Sequence, residues 1–172
     1  STAATTGIAG VSIEGDGTFN VYNNMISGFA LTSANANKSA YVYGIKNSSA
    51  TATANIFFNT IKMDTLASIG TGTVNYRGIF ISAGTNTVKN NIVVNNEDDF
   101  ASFNIYRPNS GTAGIFAGTL TANYNDYYRA GTTNAKIAFY DTAGVATLAA
   151  WKTASTQDSN SVSGQVPFVS AT

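Results

Sequence analysis

A near-fixed repeat restricts this chain more than any other feature. A Gly followed by an apolar β-former stands at Gly10-Val11, Gly44-Ile45, Gly78-Ile79 and Gly114-Ile115, in steps of 34, 34 and 36 residues. An Asn trails each pair, at Asn24, Asn59, Asn91 and Asn125, inside VYNNMI, IFFNTI, VKNNIV and ANYNDYY. Self-similarity at such a period marks an architecture in which one unit stacks on the next. Within a unit the hydrophobic period is two, as in Gly78-Ile79-Phe80-Ile81 and Val88 to Val94, with turn chemistry between them at Ala83-Gly84-Thr85-Asn86. Period two in copies about 34 residues apart fits a chain that winds and lays each copy beside the last. The expected fold is all-β: a right-handed parallel β-helix of four to five long coils, as one domain over residues 1–172. The repeats start near Gly10, Gly44, Gly78 and Gly114, and a closing coil with a short helix occupies 123–172.

Stacking aligns like with like. One inward column becomes Val21, Ile56, Val88 and Ala122, and a second Ile26, Ile61, Val93 and Tyr127. The four Asn form a ladder at a bend, each amide donating to the next rung. Since 34 residues is long for one coil, segments 30–39, 64–75 and 97–113 are expected to protrude as loops. FASFNIYRP reads as an extra strand, KIAFYD as another, and QVPFVSAT as a short last one. VATLAAWKT is the one convincing helix, with Thr147 as cap and Leu148 and Trp151 on one face.

Composition then excludes whole classes of function. Nine basic and nine acidic residues cancel and only 10% of residues are charged, which leaves no basic surface for nucleic acid. There is no Cys and no His. Disulfides, zinc sites, thiol nucleophiles and the usual Ser-His-Asp machinery are therefore absent. No apolar run approaches membrane-spanning length. The small polar residues and the start at STAATTG suggest a processed extracellular or cell-surface form.

The segment from Asn123 to Ser170 carries a resemblance. Asn123 to Tyr128 (NYNDYY), Thr147 to Trp151 (TLAAW), Asp158-Ser159-Asn160-Ser161 and Pro167-Phe168 resemble the closing coils of large secreted bacterial right-handed parallel β-helix repeat proteins, many of them surface or adhesin-like. The strands NIFFNTIKM and KNNIVVNN are similar to that family's coils. The resemblance implies the fold and a surface role, with no particular chemistry.

Glu97-Asp98-Asp99 is the one acidic cluster and the candidate Ca²⁺ site, although such a run is usually a solvated loop tip. Glu14 and Asp16 are a second pair able to flank a cation, although Asp16-Gly17 already serves as the turn of the first copy. Arg77, Arg107 and Arg129 gather an acidic sugar only if they cluster across rungs. Thr51-x-Thr53, Thr85-x-Thr87 and Thr119-x-Thr121 recur at a step of 34 and are expected to stack, as on the ice-binding faces of some antifreeze proteins. Tyr22 over Phe57 is expected to be packing. No catalytic residue and no cofactor is expected, Ca²⁺ apart.

The functional expectation is a non-catalytic extracellular structural protein, a filament or surface subunit whose two ends, one without a cap and the other covered on one side by the helix at 146–152, meet head to tail in a homopolymer. A carbohydrate-binding or polysaccharide-cleaving module is the alternative, with the acidic loop as its site and a glycan as partner. Ice binding through the Thr ladder is the third. Neither nucleic acid nor membrane insertion is expected.

Overall fold

A computed structural model describes residues 6–29, 39–64, 73–97, 101–108, 117–131 and 133–166. Three strands make one rung, and each strand lies parallel to its counterpart in the next. The first rung is β1 (Thr6–Ile13), β2 (Thr18–Tyr22) and β3 (Met25–Ile26), and the second β4 (Ser39–Asn47), β5 (Thr53–Phe57) and β6 (Thr60–Met63). The third is β7 (Thr73–Ile81), β8 (Ala83–Lys89) and β9 (Ile92–Asn95); the fourth is β10 (Ser102–Pro108), β11 (Ala117–Asn123) and β12 (Asp126–Arg129). The strands β13 (Ala135–Asp141) and β14 (Ala143–Val145) and the helix α1 (Leu148–Ser155) follow. Face A runs β1-β4-β7-β10-β13-β14, face B β2-β5-β8-β11 and face C β3-β6-β9-β12. All pairings are parallel except β13 with β14. The protein is a parallel β-solenoid of about three turns with one short C-terminal helix.

Both expected interior columns are in register. Val21, Ile56, Val88 and Ala122 align on face B, and Ile26, Ile61, Val93 and Tyr127 on face C, all buried. Face A adds Ile45, Ile79, Ile105 and Ala138. The repeated Gly is explained by close approach across the interior. A Cβ on Gly44 would lie 2.5 Å from both Ile61 Cγ2 and the Gly78 carbonyl oxygen. Gly10 meets Ile26 in the same way.

The fourth member of that column differs from the expectation. Ile105 pairs with Ile79, so Asn104-Ile105 holds the place that spacing gave to Gly114-Ile115. FASFNIYRP is therefore no extra strand but the face A strand of the fourth rung, within the segment expected to be a loop. Asn104 stands where the lower rungs have Gly and donates to the carbonyls of Val93 (2.6 Å) and Tyr128 (2.7 Å). Gly114-Ile115 and the closing Pro167-Phe168 lie outside the described residues. So does most of the expected loops at 30–39 and 64–75, although β4 already starts at Ser39 and β7 at Thr73. The expected turn at Ala83 to Asn86 is also strand: the corner contracts to Ser82. Asn86 Nδ2 folds back onto the carbonyls of Ala83 (2.8 Å) and Gly84 (3.0 Å), which keeps turn chemistry inside β8.

Between faces B and C the chain turns in two residues. The first is left-handed each time, at Asn23, Phe58, Asn90 and Tyr124, with φ of 57°, 54°, 56° and 58°. The second is the ladder Asn. Asn24 Nδ2 donates to Asn59 Oδ1 (2.9 Å), Asn59 to Asn91 (3.0 Å) and Asn91 to Asn125 (3.0 Å). Each acceptor oxygen also takes the backbone N–H of the preceding ladder Asn. The second N–H of Asn59, Asn91 and Asn125 reaches back to a carbonyl of the rung before, at Val21, Ile56 and Val88, each 2.9 Å. One side chain thus ties three rungs.

Candidate functional site

The ladder has a direction, and its two ends are unlike. Asn125 Nδ2 donates to Asp158 Oδ1 (2.9 Å), and a carboxylate that only accepts ends the chain of amides. The Asp158 carboxylate also accepts from Trp151 Nε1 (2.7 Å) and from the Ser161 hydroxyl, and both Asp158 and Trp151 are buried. Thr147 caps α1 by accepting from the Ala150 N–H (3.2 Å), as expected, and so aims Trp151 inward. The segment after α1 then closes the last rung. Asp158 N–H donates to the Ala122 carbonyl, Val162 N–H to that of Asn125, and Tyr127 N–H to that of Val162. On face A, β14 occupies the outer edge of β13. At the other end β1, β2 and β3 each have a single strand neighbour among the described residues, and Asn24 is exposed.

The first residue of the acidic run departs from the expected solvated loop tip. Glu97 is fully buried at the connection from β9 to β10, where its N–H donates to Asn95 Oδ1 (3.1 Å) and its carbonyl accepts from the Ser102 hydroxyl (2.9 Å). These bonds pull the corner inward. Asp98 and Asp99 lie outside the described residues. Among the described residues no group of three or more His, Cys, Asp or Glu could hold a metal ion. Glu14 is engaged with Lys46 (2.8 Å) and the Ser12 hydroxyl (2.9 Å), which together hold its carboxyl below the usual range. Asp16 accepts from the Thr51 hydroxyl.

The three arginines do not cluster. Arg77 lies over the rings of Tyr106 (3.8 Å) and Tyr41 (4.5 Å), Arg107 lies over Tyr140 (4.9 Å), and Arg129 donates to the Gly131 carbonyl. The Thr ladder exists in another register. Thr53, not Thr51, pairs with Thr85, because the corner between faces A and B is two residues longer in the second rung than in the third. The column is Thr18, Thr53, Thr85 and Thr119, and beside it run Asn20, Asn55, Thr87 and Thr121. Tyr22 does align with Phe57.

Sequence reasoning missed the outer side of face A. Tyr43, Phe80, Tyr106 and Phe139 form a pile with centroid spacings of 5.3, 5.6 and 4.4 Å, and Phe103 abuts its upper end. The available signal was an aromatic close to each member of the Gly/Asn104 column: Tyr43 one residue before Gly44, Phe80 two after Gly78 and Tyr106 two after Asn104. At its lower end the pile opens on a groove of about 440 Å³.

Compared with family models, with curated proteins and with solved structures, the chain finds no match. The likeness to β-helix proteins therefore stands on the β-solenoid fold alone.

Proposed function

We propose that the chain is a non-catalytic extracellular structural protein, a self-associating surface subunit of the kind found among secreted bacterial β-helix repeat proteins. Its working parts are backbone edges and side-chain ladders. The observation that carries this reading is the unlike pair of ends. Among the described residues, three parallel strands and an Asn acceptor face outward on the first rung, whereas the chain's own residues 143–164 cover the last. An open strand edge is a template for pairing. Head-to-tail growth by backbone pairing would require β14 and the Trp151–Asp158 closure to leave, so copies meet instead first rung to first rung. Such a contact is isologous and closes at two copies. Balanced charge leaves little long-range repulsion against it. Light scattering with negative-stain electron microscopy at micromolar concentration tests this. Two-copy particles support the reading, regular fibres favour the head-to-tail form, and monomers throughout overturn self-association.

A second reading, ice binding, is favoured by the four-rung Thr column on face B and the Asn/Thr column beside it. Rungs roughly 4.8 Å apart, with alternate residues on one strand about 6.6 Å apart, make a regular grid of hydroxyl and amide groups. Thermal hysteresis abolished by Thr85→Lys would support it; no hysteresis in the parent chain would dismiss it.

A further inference from the structure

The geometry points to a neutral saccharide site in the groove at the foot of the face A aromatic pile. On the second rung Tyr41 and Tyr43 project from β4 with nearly parallel rings, 11° apart and 5.9 Å between centroids. Their partners one rung down are Gly7 and Ala9, both exposed. The aromatic layers that stack up face A therefore stop one step short of the first rung, and the groove is the room left by the missing layer. Its volume falls within the range of ligand sites. A pyranose ring presents an apolar C–H face of the size that a further aromatic layer would fill.

The other end of the groove is polar. Ser12 pairs with Lys46 in register, and Glu14 Oε1 accepts from both Ser12 Oγ and Lys46 Nζ. These groups donate and accept at one spot, as vicinal hydroxyls require. Their charges cancel, which selects a neutral sugar over an acidic one. Behind the rings, Arg77 stacks on Tyr41 and Tyr106 and donates toward the Tyr43 hydroxyl (3.4 Å), which fixes the platform before a ligand arrives. The groove is lined on one side by Gly7, Ile8 and Ala9 of the first rung, the rung at which copies are proposed to meet, so sugar binding and self-association are to be separated in the test.

Isothermal titration with cellohexaose, xylohexaose, chitohexaose and hexagalacturonate tests it, on the full chain at a concentration where its association state is known. At least one neutral hexasaccharide should bind with a dissociation constant below about 1 mM. Gly7→Val, a β-favouring change that fills the groove floor, should weaken binding at least about tenfold while the circular dichroism spectrum and melting temperature hold. Tyr43→Ala should weaken binding comparably, with a lower melting temperature because Tyr43 also packs on Tyr41 and Phe80. Failure of all three neutral sugars at millimolar concentration overturns the assignment. So does binding that survives Gly7→Val, or tighter binding of hexagalacturonate than of any neutral sugar.

Discussion

Replacing Asn91 with Ala tests the reasoning about the ladder most sharply, because the structure states what would be lost. Asn91 is fully buried. Its Oδ1 accepts from the N–H and the side-chain amide of Asn59, each at 3.0 Å, and its Nδ2 serves Asn125 Oδ1, the Ile56 carbonyl and the Lys89 carbonyl. Some of those partners have alternatives. Asn59 Nδ2 still reaches Val21 O, and Asn125 Oδ1 still takes the Asn91 backbone N–H. The Asn59 backbone N–H loses its acceptor in a buried place. A typical hydrogen bond contributes about 0.5–1.5 kcal/mol net, and each orphaned buried group costs about 1–3 kcal/mol. Asn91→Ala should therefore destabilise by about 3–5 kcal/mol, a large part of a domain's margin. Asn24 is the exposed end of the same ladder and donates only to Asn59 Oδ1 and the Tyr22 carbonyl. Asn24→Ala leaves groups that water can reach, so its cost should stay near 1 kcal/mol or below. Urea melts of both variants, with the slopes compared to establish two-state behaviour, give the two numbers. Equal losses would refute the claim that the ladder acts through buried, cross-rung satisfaction.

Three further outcomes follow from the packing. Gly44→Ala places a methyl 2.5 Å from Gly78 O and Ile61 Cγ2 and should cost about 1–3 kcal/mol or more, whereas Gly15→Ala, with open space around it, should be near neutral; thermal melts separate them. Phe58 is 60% exposed and holds a left-handed φ of 54°, a conformation costing a bulky residue about 1–2 kcal/mol, so Phe58→Asn should raise stability by about 0.5–1 kcal/mol in the same assay. Burial first, and the Asp158 carboxylate second, push the Tyr127 hydroxyl well above the ordinary phenol range. The unfolded chain then loses that proton near pH 10 while the folded chain keeps it, so stability present below about pH 10 is lost as pH rises further. Tyr127→Phe should flatten that alkaline fall in urea melts from about pH 9 to 11, and an unchanged slope would refute the assignment.

Much of the fold was legible because a solenoid repeats its own instructions. Val21, Ile56, Val88 and Ala122 share an inward column for the same reason that the ladder Asn recur: each rung must match the one below it. What failed was counting across corners. From Asn47 to Thr53 the chain takes six steps and from Ile81 to Thr85 four, so a ladder drawn at constant spacing slipped by two in the second rung. The fourth rung was misplaced because Asn104 stands where the other rungs have Gly or its neighbourhood, and an amide bonding to Val93 and Tyr128 carbonyls leaves no trace in a Gly pattern. Glu97 read as solvated because charge runs usually are; its burial depends on Asn95 and Ser102 pinning the corner. The groove needed register, since only pairing Tyr41 and Tyr43 with Gly7 and Ala9 reveals a missing layer.

Hydrogen–deuterium exchange measured across a concentration series tests the central claim, that the two ends of the stack are unlike and the first rung is where copies meet. Amides of β1 to β3 should become more protected as concentration rises, while those at residues 157–164, already bonded to the fourth rung, should not change. Protection that is independent of concentration at the first rung, or that grows at both ends together, would contradict it.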